Sequence, residues 1–296
     1  APDHADSWIG ERAVLTLGQV RYQATIDAVD IGGAAGTILS LAHDIVALAD
    51  SVDHRVFVDK DSVDIAEQVL AHHGLELERR IDRPAAKRRQ CVQAFESDLD
   101  FVSRVLAEDG ITWWIDRHQA VATIVVADHP AAFRPIDGDD TLQLAADEGL
   151  VGTEAVVSAR LHWRLAPGRV ALRDYWFEKP SLDLSVDSES SVYMDASVAS
   201  PDSQLERYTA PGPERYHDPQ HGRLLAERSL DAMRADSLVL EGVSTSPRLA
   251  VGRTFELRGA PRDDMCRRWL VVRLNSTGFR DARRIGLGGG PGLAGG

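Results

Sequence analysis

Short runs of alternating apolar and polar residues cover much of the chain and predict β-strands. Residues 11–17 and 20–29 alternate in this way, with Gly18-Gln19 as the turn between them. A period of two residues is typical of strands with one buried face. The apolar stretch 37–49 predicts a strand that leads into a short helical turn. Later strand-like stretches lie at 154–165, 169–177 (joined to the first by the turn Pro167-Gly168), 181–204, 238–244, 253–258 and 268–275.

Three segments instead repeat apolar residues at helical spacing: 62–74, 98–108 and 219–235. Polar N-caps, an early proline and a glycine after the last turn mark helix boundaries. The boundary residues here are Ser62, Gly74, Ser97, Gly110 and Asp218 with Pro219. The faces predicted to be buried are Val63, Ala66, Val69 and Leu70; then Leu99, Val102, Val105 and Leu106; then Leu224, Leu225, Ser229, Ala232 and Met233.

The second helix belongs to a compact α+β unit. A short strand at 91–95 precedes it, and two strands at 111–115 and 120–127 follow it as a hairpin whose turn is 116–119. Because many short strands surround only three clear helices, we predict a mainly β fold with α+β elements, of the barrel or sandwich kind.

Composition narrows the class of protein. The chain has 296 residues, a net charge of −13 and 44% hydrophobic residues, which suits about two globular domains. The acidic balance argues against a nucleic-acid partner, and the one basic cluster, Lys87-Arg88-Arg89 with Arg83 nearby, is interpreted as solvated surface. No run of about 20 apolar residues predicts a membrane span, and the polar start is unlike a signal peptide.

Candidate chemical groups do not assemble into a convincing active site. His217 and His221 have the spacing of a zinc helix, but Pro219 and Gly222 interrupt it. Asp98 and Asp100 could form a glycosidase pair, although carboxylates at a helix N-terminus are stabilising by themselves. We therefore predict no catalytic, cofactor-binding or metal-binding residues, and no enzyme.

Other conspicuous residues favour structural roles. The adjacent His72 and His73 point in different directions from a helix, and the adjacent Trp113 and Trp114 face opposite sides of a strand, so one tryptophan belongs to the core. The glycines at 32, 33 and 36 do not have the spacing of a phosphate loop and predict a flexible turn. Cys91 and Cys266 are expected as free thiols, with one disulfide as the alternative.

Seven segments in preserved order resemble VgrG spike proteins and the related phage late-control hub proteins. The most specific is CVQAFESDLDFVSRVLAEDGITWWID at 91–116. The others are 55–74, 126–130, 169–180, 208–233, 252–260 and 269–272. They span nearly the whole chain, so the resemblance does not depend on one motif.

The resemblance implies two β-barrel-like domains like those of a contractile phage baseplate hub, joined through α+β elements. It places part of the first barrel at 1–52 and the α+β unit at 53–135. The second barrel region, which contains the helix near 219–235, is placed at 136–282, and a disordered Gly-rich tail at 283–296. It implies a non-catalytic hub that adapts a hexameric tube to a trimeric spike in type VI secretion. Expected partners are two further copies, an Hcp-like tube protein, baseplate proteins, and a PAAR-type tip with effectors.

Members of that family begin tens of residues earlier and continue into a further barrel and a β-helical spike, which we expect the full assembly to need. The implied location is assembly in the cytoplasm followed by export through the machine. Alternatives are a prophage tail or extracellular injection particle, a baseplate-associated cell-wall hydrolase, and a glycan-binding module that uses Trp113 or Trp114. For the isolated chain we expect a monomer or a weak trimer.

Overall fold

The computed structural model describes residues 5–17, 20–32, 36–83, 85–116, 123–145, 154–189, 204–210 and 215–276. The predicted turns at 18–19 and 117–119, the glycine at 33, the remainder of the 181–204 stretch and the Gly-rich tail lie outside the described residues. So do the first residues of the strand predicted at 120–127.

Strands outnumber helices in the described chain. The strands are β1 (Arg12–Leu17), β2 (Val20–Gly32), β3 (Gly36–Ala42), β4 (Val52–Lys60), β5 (Leu77–Arg80), β6 (Arg88–Ser97), β7 (Thr112–Asp116), β8 (Thr123–Ala127), β9 (Arg134–Pro135), β10 (Thr141–Leu144), β11 (Ala155–Trp163), β12 (Arg169–Asp174), β13 (Leu184–Glu189), β14 (Glu206–Thr209), β15 (Leu238–Ser244), β16 (Arg253–Arg258) and β17 (Arg268–Leu270). The helices are α1 (Ala47–Asp50), α2 (Ser62–His72), α3 (Asp98–Glu108) and α4 (Pro219–Arg234). Short 3-10 turns lie at Ala5–Trp8, Asp44–Val46, Pro130–Ala132 and Asp263–Met265.

The first sheet is an antiparallel meander of β1, β2 and β3, and it confirms the two opening strand predictions. As predicted, the strand β3 leads into a helical turn, formed by Asp44–Val46 and α1. Ile26 is buried in this sheet, whereas Leu15, Ile31 and Leu39 are 41%, 70% and 41% exposed. The sheet therefore covers only part of its apolar surface.

The α+β unit contains the antiparallel pair β4–β6, the sheet β5-β8-β7, and the helices α2 and α3 between them. Its core confirms Val63, Ala66, Val69 and Leu70 on α2, and Val102, Val105 and Leu106 on α3. Leu99 was expected in the core but is half-buried, and Phe101 is fully buried instead. Phe101 belongs to the same core as Phe57 of β4, and the two rings stack with their centres 5.4 Å apart.

Two predicted boundaries in this unit are wrong. The strand expected at 91–95 extends over Arg88–Ser97, because β4 pairs with it along its length. The N-cap of α2 is Asp61, not Ser62: the Asp61 carboxylate accepts a hydrogen bond from the Asp64 N–H at 2.8 Å. At α3 the predicted N-cap Ser97 is confirmed, and it accepts from the Asp100 N–H.

The C-terminal half forms two sheets. The larger has the order β15-β11-β10-β16-β17, with β9 paired to β16. The smaller has the order β13-β12-β14, and α4 packs on one face of it. The stretches predicted at 154–165 and 169–177 are consecutive, yet β11 and β12 lie in different sheets. The strands predicted at 169–177 and 268–275 are too long, because residues 175–177 and 271–275 are not strand.

Helix α4 begins as predicted, with the Asp218 side chain accepting from the Gln220 N–H and Pro219 in the first turn. Its predicted inner face is partly wrong. Leu225 is buried, but Ala232 is exposed, and Leu230 is buried in its place. Residues two positions apart differ by about 200° around a helix, so Ala232 cannot share the face of Leu230.

Candidate functional site: three ion-pair clusters in and around the α+β unit

Asp98 holds the α+β unit together from inside. Its side chain is 1% exposed and accepts hydrogen bonds from Ser51 Oγ at 3.1 Å and Gln93 Nε2 at 2.8 Å. The ring Nε2 of His73 lies 2.7 Å away, and the guanidinium of Arg55 forms an ion pair with the same carboxylate. We name these five residues the Asp98 cluster.

Burial alone would raise the pKa of Asp98. The hydrogen bonds from Gln93 and His73 and the charge of Arg55 outweigh it, so the pKa lies below the ordinary aspartate value. The charged carboxylate also lies in the first turn of α3, where the helix dipole favours it. Asp100, the other member of the suggested glycosidase pair, accepts a hydrogen bond from Ser97 Oγ at 2.8 Å. Both carboxylates are thus engaged in holding the start of α3.

A second cluster surrounds Asp116 at the end of β7 and joins the α+β unit to the large C-terminal sheet. The Asp116 side chain is 2% exposed, with Arg253 Nη2 at 3.3 Å and Arg80 Nη2 at 3.4 Å from its oxygens. The Arg80 guanidinium also lies 5.5 Å from the centre of the Trp114 ring, a cation–π distance. We name Asp116, Arg80 and Arg253 the Asp116 cluster.

Gly252 lets the backbone approach this cluster. It has φ +79, and a Cβ there would overlap the indole of Trp114. Trp114 is 5% exposed, whereas Trp113 is half-buried and packs against the cores beneath the two helices. The prediction that the two tryptophans face opposite sides, with one in the core, is confirmed. Trp114 is occupied by an internal contact and is not presented as a stacking platform.

A third cluster joins the end of α3 to the segment before α4. Arg88 lies 2.6 Å from Glu108 and 3.0 Å from Asp109, and Arg215 lies 3.1 Å and 3.4 Å from the same two carboxylates. We name these four residues the Asp109 cluster. Burial would raise the pKa of Glu108, but the charges of Arg215 and Arg88 hold it below its ordinary value. A Cβ on the adjacent Gly110, at φ +68, would lie 2.6 Å from Arg228 Cγ.

The Asp109 cluster changes the interpretation of the basic segment. Arg88 was expected at the solvated surface, but its side chain is 12% exposed because Glu108 and Asp109 draw it inward. Lys87, Arg89 and the nearby Arg83 are exposed, and Arg89 lies 3.8 Å from Glu178. The segment is therefore not a continuous basic surface.

The remaining candidates lie apart from one another. The His217 ring stacks on Trp176 with the ring centres 4.7 Å apart. His221 is half-buried in α4, and its pKa is lowered mainly by burial and then by Arg215 and Arg228, against the opposing charge of Asp109. Among the described residues, no three histidine, cysteine or acidic side chains form a group that could hold a metal ion.

The adjacent histidines and the two cysteines complete the set of residues considered from the sequence. His72 is exposed, and His73 belongs to the Asp98 cluster. Cys91 is buried, Cys266 is half-buried, and both are free thiols. In the described part of the chain, no helix is long and apolar enough to cross a membrane.

Sequence reasoning missed the residues that join the α+β unit to the rest of the chain: Gly252, Arg253 and Arg215. The available signals were weak. Gly252 immediately precedes a strand, and Asp116 ends one, but neither pattern indicates which distant segment completes the contact.

Comparison with known proteins places this arrangement of sheets in the tail-hub class. The chain matches the family described as phage tail baseplate hub over residues 3–282, and it belongs to that family. Among curated relatives, it is 36% identical over 238 residues to the type VI secretion system spike protein VgrG4b of Pseudomonas aeruginosa, and 27% identical over 246 residues to VgrG1a of the same organism. The matches cover 79% and 82% of this chain but 28% and 37% of those relatives.

Solved structures share the fold at low identity. An E. coli component of the type VI secretion system, described as similar to T4 bacteriophage tail proteins, aligns with a TM-score of 0.57 at 17% identity, covering 88% of this chain and 57% of that one. A tail protein of Neisseria meningitidis aligns with a TM-score of 0.60 at 15% identity, covering 87% and 75%. The expected resemblance to baseplate hub proteins is therefore confirmed for the fold.

Proposed function

We propose that this chain is the hub part of a type VI secretion spike, in which three copies form a ring that adapts a hexameric tube to a trimeric spike. The observation that carries the proposal is the 36% identity to a type VI spike protein across 79% of this chain, within a hub-family match that spans nearly all of it. The proposed partners are an Hcp-like tube protein, baseplate proteins, and a PAAR-type tip with effectors. Assembly in the cytoplasm and export by the machine follow from the same assignment.

The proposed organisation assigns 1–52 to the first barrel, 53–135 to the α+β unit and 136–282 to the second barrel region. Separate hydrophobic cores support this division, because one lies within residues 57–126 and two others lie within 136–271. The Asp116 and Asp109 clusters connect the parts, since each joins side chains of the α+β unit to an arginine of the C-terminal half. Strand β9 adds a third connection by pairing with β16. Three connections hold the α+β unit against the C-terminal half, which suits a hub that carries other proteins.

The charged groups at the core of the chain support a structural role. Asp98, Asp109 and Asp116 are each nearly buried and each paired to cations, which is how a fold retains buried charge. A catalytic carboxylate must instead reach a substrate. This arrangement favours the hub over a cell-wall hydrolase, so we propose that the chain has no catalytic or metal-binding residues.

A prophage tail hub is the second candidate. Two structures described as a prophage tail protein and a tail protein align with TM-scores of 0.58 and 0.60. Their identities of 14% and 15% support the fold alone, whereas the relatives above 30% identity are type VI spike proteins.

The test is co-assembly with an Hcp-like tube protein. The chain and that tube protein are mixed at high concentration, and particles are imaged by negative-stain electron microscopy. We expect three copies of the chain capping a six-membered tube end. A variant with Arg253→Ala, which removes one arm of the Asp116 cluster, should cap fewer tubes, whereas Arg258→Ala on the same strand should not. Particles without threefold symmetry, or no capping by the unaltered chain, would contradict the proposal.

A further inference from the structure

The end of α3 and the first half of α4 meet at a contact that is dense in charge. Arg228 of α4 passes so close to Gly110 that a Cβ on this glycine would lie 2.6 Å from Arg228 Cγ. Arg215, just before α4, lies 3.1 Å from Glu108 and 3.4 Å from Asp109 at the end of α3. We name this contact the α3–α4 joint.

His221 lies on the side of α4 that faces the joint. Positions 221, 225 and 228 have the spacing of one helix face, so His221 and Arg228 share a side of α4. On this face Leu225 is buried and His221 is half-buried. The neighbouring Gly222 packs so closely on the ring of Tyr216 that a Cβ would lie 2.5 Å from it. Close packing therefore fixes the rotation of α4 that keeps His221 at the joint.

A proton on His221 would add a positive charge to this crowded place. Four charged groups act on its ring: Arg215 from the segment before α4, Arg228 and the N-cap Asp218 from α4, and Asp109 from the end of α3. The attraction of Asp109 is shared, because its carboxylate is already paired with Arg88 at 3.0 Å and with Arg215. His221 also lies in the first turn of α4, where the positive end of the helix dipole disfavours a cation.

The consequence for stability follows from the direction of the pKa. Burial is the largest cause that lowers the pKa of His221, and Arg215 and Arg228 lower it further against the attraction of Asp109. The folded chain therefore keeps the ring neutral at a pH where the unfolded chain has bound a proton. The stability that the neutral ring contributes is complete above the ordinary histidine pKa of about 6.5, and it is lost as the pH falls towards the lower folded value.

We propose that His221 is a pH-sensitive switch, in which protonation of its ring releases α4 from the end of α3. The Asp116 cluster and the pairing of β9 with β16 lie away from His221 and continue to hold the α+β unit to the C-terminal half. Acid thus loosens one of three connections without unfolding the chain. The switch belongs to the single chain and goes beyond the proposed hub function, so neither depends on the other.

The first measurement is the pKa of His221 itself, from an NMR titration of the histidine ring signals in the full chain. We expect a value below about 6.5. Arg228→Met removes one cation and keeps an unbranched side chain, so it should raise the pKa of His221. Arg223→Met, at an exposed position on the opposite side of α4, is the matched control and should leave the pKa unchanged. A pKa at or above the ordinary value, or one that Arg228→Met does not move, overturns the proposal.

The second measurement detects the opening of the joint. Cys91 is buried, and its Sγ lies 3.9 Å from Nη1 of Arg88, so its reaction with a thiol reagent reports access to the Asp109 cluster. In a Cys266→Ser chain, the rate with dithiodipyridine is divided by the rate of free cysteine at the same pH. Between about pH 7.5 and 5.5 we expect this relative rate to rise roughly fivefold, and to rise less than about twofold when His221→Gln is added. His72→Gln, at an exposed histidine, is the control and should leave the rise intact.

The remaining outcomes also decide the matter. An equal rise with and without His221→Gln overturns the proposal, as does a constant relative rate in the Cys266→Ser chain. A rise that accompanies the loss of the circular dichroism signal means global unfolding and overturns a local switch. If the His221→Gln chain reacts rapidly at both pH values, the substitution itself has opened the joint. The titration of the native His221 then decides whether the proposal stands.

Discussion

Gly252→Ala tests whether the contact between Trp114 and β16 holds the α+β unit in place. Two effects add up at this position. A residue with a Cβ in the left-handed conformation costs roughly 1–2 kcal/mol. The new methyl group overlaps the buried indole of Trp114, and overpacking of this kind costs roughly 1–3 kcal/mol. We therefore expect a loss of about 2–5 kcal/mol in the free energy of unfolding.

Gly74→Ala is the matched control. Gly74 has φ +69, but a Cβ there would meet no atom within 4 Å, so only the backbone cost of roughly 1–2 kcal/mol applies. Urea denaturation followed by circular dichroism measures both variants. The steric part of the stability loss should be smaller when Gly252→Ala is combined with Trp114→Leu, because the two positions are in contact and their effects on stability are not additive. If Gly252→Ala and Gly74→Ala differ by less than about 0.5 kcal/mol, the reasoning is refuted.

Three further predictions concern stability, pH and metals. Leu106→Ala should lose about 2–5 kcal/mol in urea denaturation, since Leu106 is 1% exposed; a loss within the surface range of about 0.5 kcal/mol would contradict its core position. Because the pKa of Asp98 is lower in the folded chain, its stabilisation is complete above the ordinary aspartate pKa of about 3.9 and is lost as pH falls towards the lower folded value. Asp98→Asn should therefore be less stable at pH 7 and lose less stability between about pH 5 and 2 than the unaltered chain; parallel pH profiles would count against the Asp98 cluster. Elemental analysis of the dialysed protein should show no stoichiometric zinc, and a one-to-one ratio would direct attention first to His217 and His221.

Local patterns were sufficient to predict elements whose boundaries depend on nearby residues. Ser97 before α3 and Asp218 before α4 cap their helices as expected, because a cap bonds to an N–H only two or three residues away. Ser62 misled the prediction because Asp61, one position earlier, can form the same bond. Two adjacent residues could cap α2, and the residue that does so is the one in an extended conformation after β4, which is Asp61.

Long-range contacts were beyond the reach of those patterns. Nothing in the spacing of Lys87-Arg88-Arg89 indicates that the middle side chain turns inward, because its partners lie about 20 residues away at the end of α3. Likewise, the Asp116 cluster depends on Arg253, which is 137 residues away in sequence. The candidate site consists of such contacts, so the sequence predicted its helices and strands but not the contacts among them.

The contacts between the α+β unit and the C-terminal half restrict how these two parts can move relative to each other. The Asp109 cluster lies at the end of α3 and the Asp116 cluster at the end of β7, and β9 joins the same C-terminal half at a third place. One contact would permit rotation of the two parts about a point, and two would permit rotation about the line between them, so each further contact restricts their relative movement. Separating the α+β unit from the C-terminal half therefore requires all three contacts to break.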